Sequence, residues 1–70
     1  MRPGTLYKHI HNTDVAFEPV KLNTYKKDVV IIKGRWYNIV NPKNIYLIDD
    51  DTITIKRTDL KNWKVYDAQV

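Results

Sequence analysis

The chain contains neither serine nor cysteine, so the commonest enzymatic nucleophiles are missing. His9 and His11 stand two positions apart, a spacing that turns both imidazoles to one side of a strand. A metal site needs a third ligand and supporting hydrogen bonds, and Asp14 is the only acid nearby in sequence. The pair is therefore expected to face solvent without metal, where its titration near neutrality would make binding weakly pH-sensitive. Asp49, Asp50 and Asp51 run together but lack the glycine and closing acid of a calcium loop. Their mutual repulsion favours solvent, and the run reads as a tight turn. Gly4 and Gly34 are the only glycines, too few for a phosphate-cradling loop. No catalytic residue, metal or cofactor is expected, and the chain reads as a binding protein rather than an enzyme.

What remains is the stretch IIKGRWYNIV at 31–40, where basic and aromatic residues stand side by side. Read with the two-residue period of a strand, it separates into two faces. Val30, Ile32, Gly34 and Trp36 share one parity and predict a core-facing row, with Trp36 filling the centre. Lys33, Arg35 and Tyr37 share the other. With Lys56 and Arg57, or Lys8, on neighbouring strands, they would form a positive stripe carrying an aromatic ring. Such a stripe can follow a phosphate backbone while Tyr37 stacks on a base. The plainer alternative is that these lysines keep a small domain soluble and its edges unpaired. A third reading makes Tyr7, Tyr25 and Tyr37 exposed anchors for a protein partner, tyrosine being favoured at binding hot spots.

These side chains must be positioned by strands. Helical periodicity is nearly absent, and short alternating runs of Val, Ile, Thr, Tyr and Trp are punctuated by Asn, Asp, Gly and Pro. A first strand is expected over 5–11, then a turn at Asn12, Thr13 and Asp14. A second strand over 15–26 changes parity between Phe17 and Val20. A bulge at Glu18 and Pro19 would return Val20 and Leu22 to the core side. Lys26, Lys27 and Asp28 make a hairpin turn into one long strand, 29–40, that bends at Gly34. After a loop at 41–44, residues 45–48 and 52–56 read as a hairpin around the aspartates. Thr58 resembles an N-cap for a 3₁₀ turn that carries Leu60 inward. Trp63 opens a short last strand over 63–66, and 67–70 is a loose tail. The expected fold is all-β: a single domain over 1–70, built as a small barrel of five to six curved antiparallel strands with a 3₁₀ turn before the last.

Gly4-Thr5-Leu6-Tyr7-Lys8-His9, followed by Val15-Ala16-Phe17-Glu18, resembles the opening of small bacterial and phage SH3-like domains. Those begin G-x-x-Y-(K/R)-H and continue with an aromatic-Glu second strand. Leu60 and Trp63 resemble the same group's closing turn and final tryptophan. The resemblance implies an SH3-like barrel and a phage or bacterial accessory origin. It carries no activity across. Pro19 interrupts where the group's second strand continues, and the signatures of the eukaryotic PxxP-binding groove are not recognisable.

The formal net charge is +4 and the isoelectric point about 9.4, which favours an acidic partner. No apolar run approaches the roughly 20 residues that span a bilayer. Without cysteine or a hydrophobic leader segment, the chain is expected in the cytoplasm of a bacterium or phage-infected cell. The first expectation for function is nucleic-acid binding through Lys33, Arg35, Tyr37, Lys56, Arg57, Tyr7 and Lys8. The second is an accessory protein that binds and modulates, by inhibition, a larger host protein through protein–protein contacts, the partner offering an acidic surface. Neither involves a membrane, and both are compatible with a homodimer.

Overall fold

A computed structural model describes residues 1–21 and 24–67. It contains β1 (Tyr7–His9), β2 (Val15–Pro19), β3 (Thr24–Tyr25), β4 (Val29–Asn38), β5 (Tyr46–Lys56), a 3₁₀ turn (Arg57–Asn62) and β6 (Trp63–Val65). All pairings are antiparallel and belong to one sheet. β4 is its spine. One edge of β4 pairs with β5, while the other is shared end to end by β3 and β2, which continues through β1 to β6. The all-β expectation holds, including the 3₁₀ turn before the last strand. Closure does not. Among the described residues, β6 pairs only with β1 and β5 only with β4, so the sheet curls without completing a barrel.

Proline explains the largest departure on the amino-terminal side. The expected 15–26 strand is two strands, because β2 stops at Pro19 and β3 resumes at Thr24. The Val20 N–H donates to the Lys33 carbonyl at 3.0 Å, which makes the neighbouring Pro19–Gly34 pair a non-hydrogen-bonded one. Proline is tolerated there because the ladder asks nothing of its missing N–H. The chain diverges after it, so Val20 is left exposed instead of returning to the core. Leu22, expected beside it, lies outside the described residues, as does the tail at 68–70.

β4 is continuous from Val29 to Asn38, and its parity follows the expected alternation. Val30 and Ile32 are fully buried with Phe17, and Ile55 is nearly so. Gly34 passes so close to β2 that an added Cβ would strike the Glu18 carbonyl and come within 2.7 Å of Phe17 Cζ. Glycine is required there by close approach. Met1, Trp36, Ile53, Leu60 and Trp63 pack around this nucleus, each only partly buried. The 3₁₀ turn brings Leu60 inward as expected, but Lys56, not Thr58, is its N-cap, without a side-chain capping bond.

The second large departure is β5. The aspartates are no turn: Tyr46–Lys56 is one strand, with Asp49, Asp50 and Asp51 opposite Trp36, Arg35 and Gly34. The register slips between Trp36 and Tyr37, where Tyr37 opposes Leu47 and Ile48 is left over. Aspartate is poor in strand interiors. On an edge strand its charge meets solvent and discourages unwanted pairing, which offsets that poor propensity. Asp51 also has specific work, accepting the Trp36 indole N–H at 3.0 Å and the Thr52 N–H at 2.8 Å.

Candidate functional site: an outer charged face and an inner tryptophan groove

The expected basic stripe lies on the outer face of β4, and two acids interrupt it. Arg35 stands opposite Glu18 on β2 and Asp50 on β5, and its Nε lies 3.5 Å from Asp50 Oδ1. Both side chains of that pair are well exposed, so solvent screens it strongly. The Tyr37 hydroxyl donates to Glu18 Oε1 at 2.9 Å. That bond raises the Tyr37 pKa above the ordinary tyrosine value, with desolvation adding to the effect and Arg35 opposing it. Arg35 alone of the trio has acids directly across from it, since Tyr37 stands opposite Ala16 and Leu47 and Lys33 opposite Thr52.

The remaining expected contacts are dispersed. Lys56 is exposed at the far end of β5, opposite Val29. Arg57 donates its Nε–H to the Lys26 carbonyl at 2.7 Å and lies 5.4 Å over the Tyr25 ring. Tyr7 is not an exposed anchor. It is 8 % exposed, and its hydroxyl accepts the Arg2 N–H at 2.8 Å. Its strand parity matches Phe17 and sends it inward. Lys8 faces Lys64 directly across β1 and β6, a like-charge pair that costs stability. Only the β1–β6 pairing brings Lys64 to Lys8.

The inner side holds a different set. Trp36 and Trp63 sit with ring centroids 6.3 Å apart at 45°, and Phe17 meets the first edge-on at 4.9 Å. The two tryptophans, with Ile53 of β5 and Asp59 and Asn62 of the 3₁₀ turn, line an open groove of about 520 Å³. The groove occupies the gap where β5 leaves the sheet and β6 returns to it. Trp36 has the core-facing parity expected of it, yet it forms the groove's wall instead of a sealed centre.

His9 belongs to this side too. Its ring is edge-on to Trp63 at 5.1 Å, and its side chain is only 19 % exposed. Of the expected solvent-facing pair, only His11 is exposed. His9 Nδ1 accepts the His11 N–H at 3.1 Å, while Nε2 approaches both Asp59 oxygens at 3.1 and 3.2 Å. An acceptor at Nδ1 places the proton of the neutral ring on Nε2, which then donates to Asp59. Asp59 also accepts Asn62 Nδ2–H at 2.7 Å. The Asn62 bond, followed by that from His9, lowers the Asp59 pKa below the ordinary aspartate value, so the carboxylate is ionised at neutral pH. The Trp63 indole N–H is buried without a hydrogen-bond partner among the described residues. It lies near enough to help hold Asp59 ionised while falling outside bonding geometry.

Among the described residues, no cluster of three His, Cys, Asp or Glu side chains gathers in a metal-binding arrangement. No helix among them is long and apolar enough to cross a membrane. The chain matches no protein-family model, no curated protein and no solved structure.

Proposed function

We propose that this chain is a non-catalytic module that binds a polypeptide segment in the Trp36–Trp63 groove. The order β6-β1-β2-β4-β5, with the 3₁₀ turn linking the ends, supports reading the scaffold as SH3-like. One observation carries the proposal: two partly exposed tryptophans stand side by side in a groove that has an ionised carboxylate in its wall. Large aromatic faces receive apolar side chains at little entropic cost, while Asp59 offers a partner to a lysine, an arginine or an amino terminus. Phosphate is a poor occupant, because Asp59 and the nearby Asp51 would repel it.

The test is an NMR titration following the indole N–H signals of Trp36 and Trp63. Short peptides combining an aliphatic or aromatic residue with a cationic one are expected to shift both signals, and Asp59→Asn to weaken binding several-fold. Absence of a shift with any cationic peptide at millimolar concentration would remove the proposal. A second reading rests on the Lys8–Lys64 pair: like charges opposed across strands, together with Lys33 and Arg35, suit a polyanion on the outer face. Oligonucleotides that bind with steep salt dependence and shift outer-face amides, but not the indoles, would favour it.

A further inference from the structure

Among the described residues, β5 has no strand along its second edge, and its charge pattern specifies what that edge can accept. Arg57 N–H donates to the Asp28 carbonyl at 3.0 Å. Counting back along the β4–β5 register, the main-chain groups of Asp51, Ile53 and Ile55 bond to β4. Those of Asp50, Thr52, Thr54 and Lys56 point away from it. This outward set is open to another strand, with one exception: the Thr52 N–H is held by Asp51 Oδ1 at 2.8 Å.

A second copy approaching this edge antiparallel must keep each side chain on its own face, which allows only registers centred on a residue. Centring on Asp50 or Asp51 sets aspartates against aspartates. A dyad at Thr52 opposes Asp50 to Thr54 and Lys56 to Ile48, which offers no charge match. With the dyad at Ile53, Thr52 meets Thr54, Ile53 meets its own copy, and Asp50 meets Lys56 on both sides. Among the described residues, Lys56 makes no ion pair within its own chain. Asp50 would sit between Arg35 of its own chain and Lys56 of the other. We infer that two copies of this chain pair β5 to β5 about a dyad at Ile53, the register that sets Asp50 against Lys56 on both sides, while the aspartates reject registers centred on themselves.

Ile53 lines the tryptophan groove, so this dyad would join the two grooves into one trough. The interface is small, and the Thr52 N–H must leave Asp51. Association should therefore be weak, with Kd on the order of 100 μM.

Sedimentation velocity on the full chain, from about 10 μM to about 1 mM, should show mass rising toward twice the monomer. Lys56→Glu opposes two acids at each symmetric contact and should weaken association about tenfold. Asp50→Lys alone should weaken it similarly. Combining Asp50→Lys with Lys56→Glu restores opposite charges only in this register and should recover the loss. Both substitutions are at exposed positions, and circular dichroism checks that each of the variants is folded. A monomer throughout the range, association indifferent to Lys56→Glu, or a double variant no better than the singles would each overturn the inference.

Discussion

The two sides of β4 use the same strand in opposite ways. On the outer face, Arg35 and Tyr37 find partners within the chain, in Asp50 and Glu18. Of the charge predicted to project toward a ligand there, Arg35 is shared with Asp50, while Lys33 stands opposite Thr52. On the inner face, Trp36 and Trp63 stand side by side, tilted at 45°, along a groove left open among the described residues. Residue type alone ranks the first side as the binding surface. Partnering reverses the order, because a group already satisfied gains less from a ligand than an aromatic ring left half in water.

Removing what both sides rest on breaks the comparison most completely. Phe17 is fully buried, touches Trp36 and lies against Gly34. Phe17→Ala should cost about 3–5 kcal/mol, a large share of the stability of so small a domain. Urea denaturation should find the variant largely unfolded, with groove and outer face lost together. A stable, cooperatively folding variant would show that the core lies elsewhere.

The groove itself is sharpened by treating its tryptophans separately. Trp36→Phe removes a bond to a carboxylate and should cost about 1–2 kcal/mol. Trp63→Phe removes a buried N–H that makes no well-formed hydrogen bond among the described residues. Relief of that burden, on the order of 1 kcal/mol, should nearly offset the lost packing. Denaturation midpoints are therefore expected in the order wild type, close to Trp63→Phe, then Trp36→Phe. Equal losses at both sites would mean that indole hydrogen bonding is irrelevant to the groove.

The smallest effects separate the two faces by pH. Asp59 has a lowered folded-state pKa, so its contribution to stability is present above the ordinary aspartate value. It is lost as pH falls through the lowered value. The stability gap between wild type and Asp59→Asn should therefore be full at neutral pH and close in acid. Arg35→Ala touches only an exposed, screened pair and should change stability by about 1 kcal/mol or less. Paired melting curves at neutral and acid pH read both. A gap for Asp59→Asn that persists in strong acid would sever the carboxylate from its Asn62 and His9 contacts.

Much of this arrangement was legible in order along the chain. Alternation placed Val30, Ile32, Gly34 and Trp36 on one side of a single long strand, and Leu60 on a 3₁₀ turn. The Asx turn at Asn12 was equally readable, with Asp14 N–H donating to Asn12 Oδ1 at 3.0 Å. The aspartate run misled for a physical reason. Adjacent acids look like a turn when judged by local propensity, and only their place on an unpaired edge makes them good strand residues. Tyr7 misled because its parity can be assigned to a face only once Phe17 is known to stand opposite it.

Local alternation and turn chemistry were therefore enough to determine an all-β fold and the parity of β4, while the close approach that requires glycine at 34 came only with the pairing to β2. Pairing decided everything that depends on a neighbour distant in sequence. It set Arg35 beside Asp50, Lys8 against Lys64, His9 on Asp59, and Trp36 within reach of Trp63. It also left β5 and β6 unjoined, so that a chain patterned for a closed barrel keeps an open, tryptophan-lined groove. The period of a strand records which side a residue faces. It carries no record of what waits on that side, because this depends on register, and register is settled only when the whole sheet assembles.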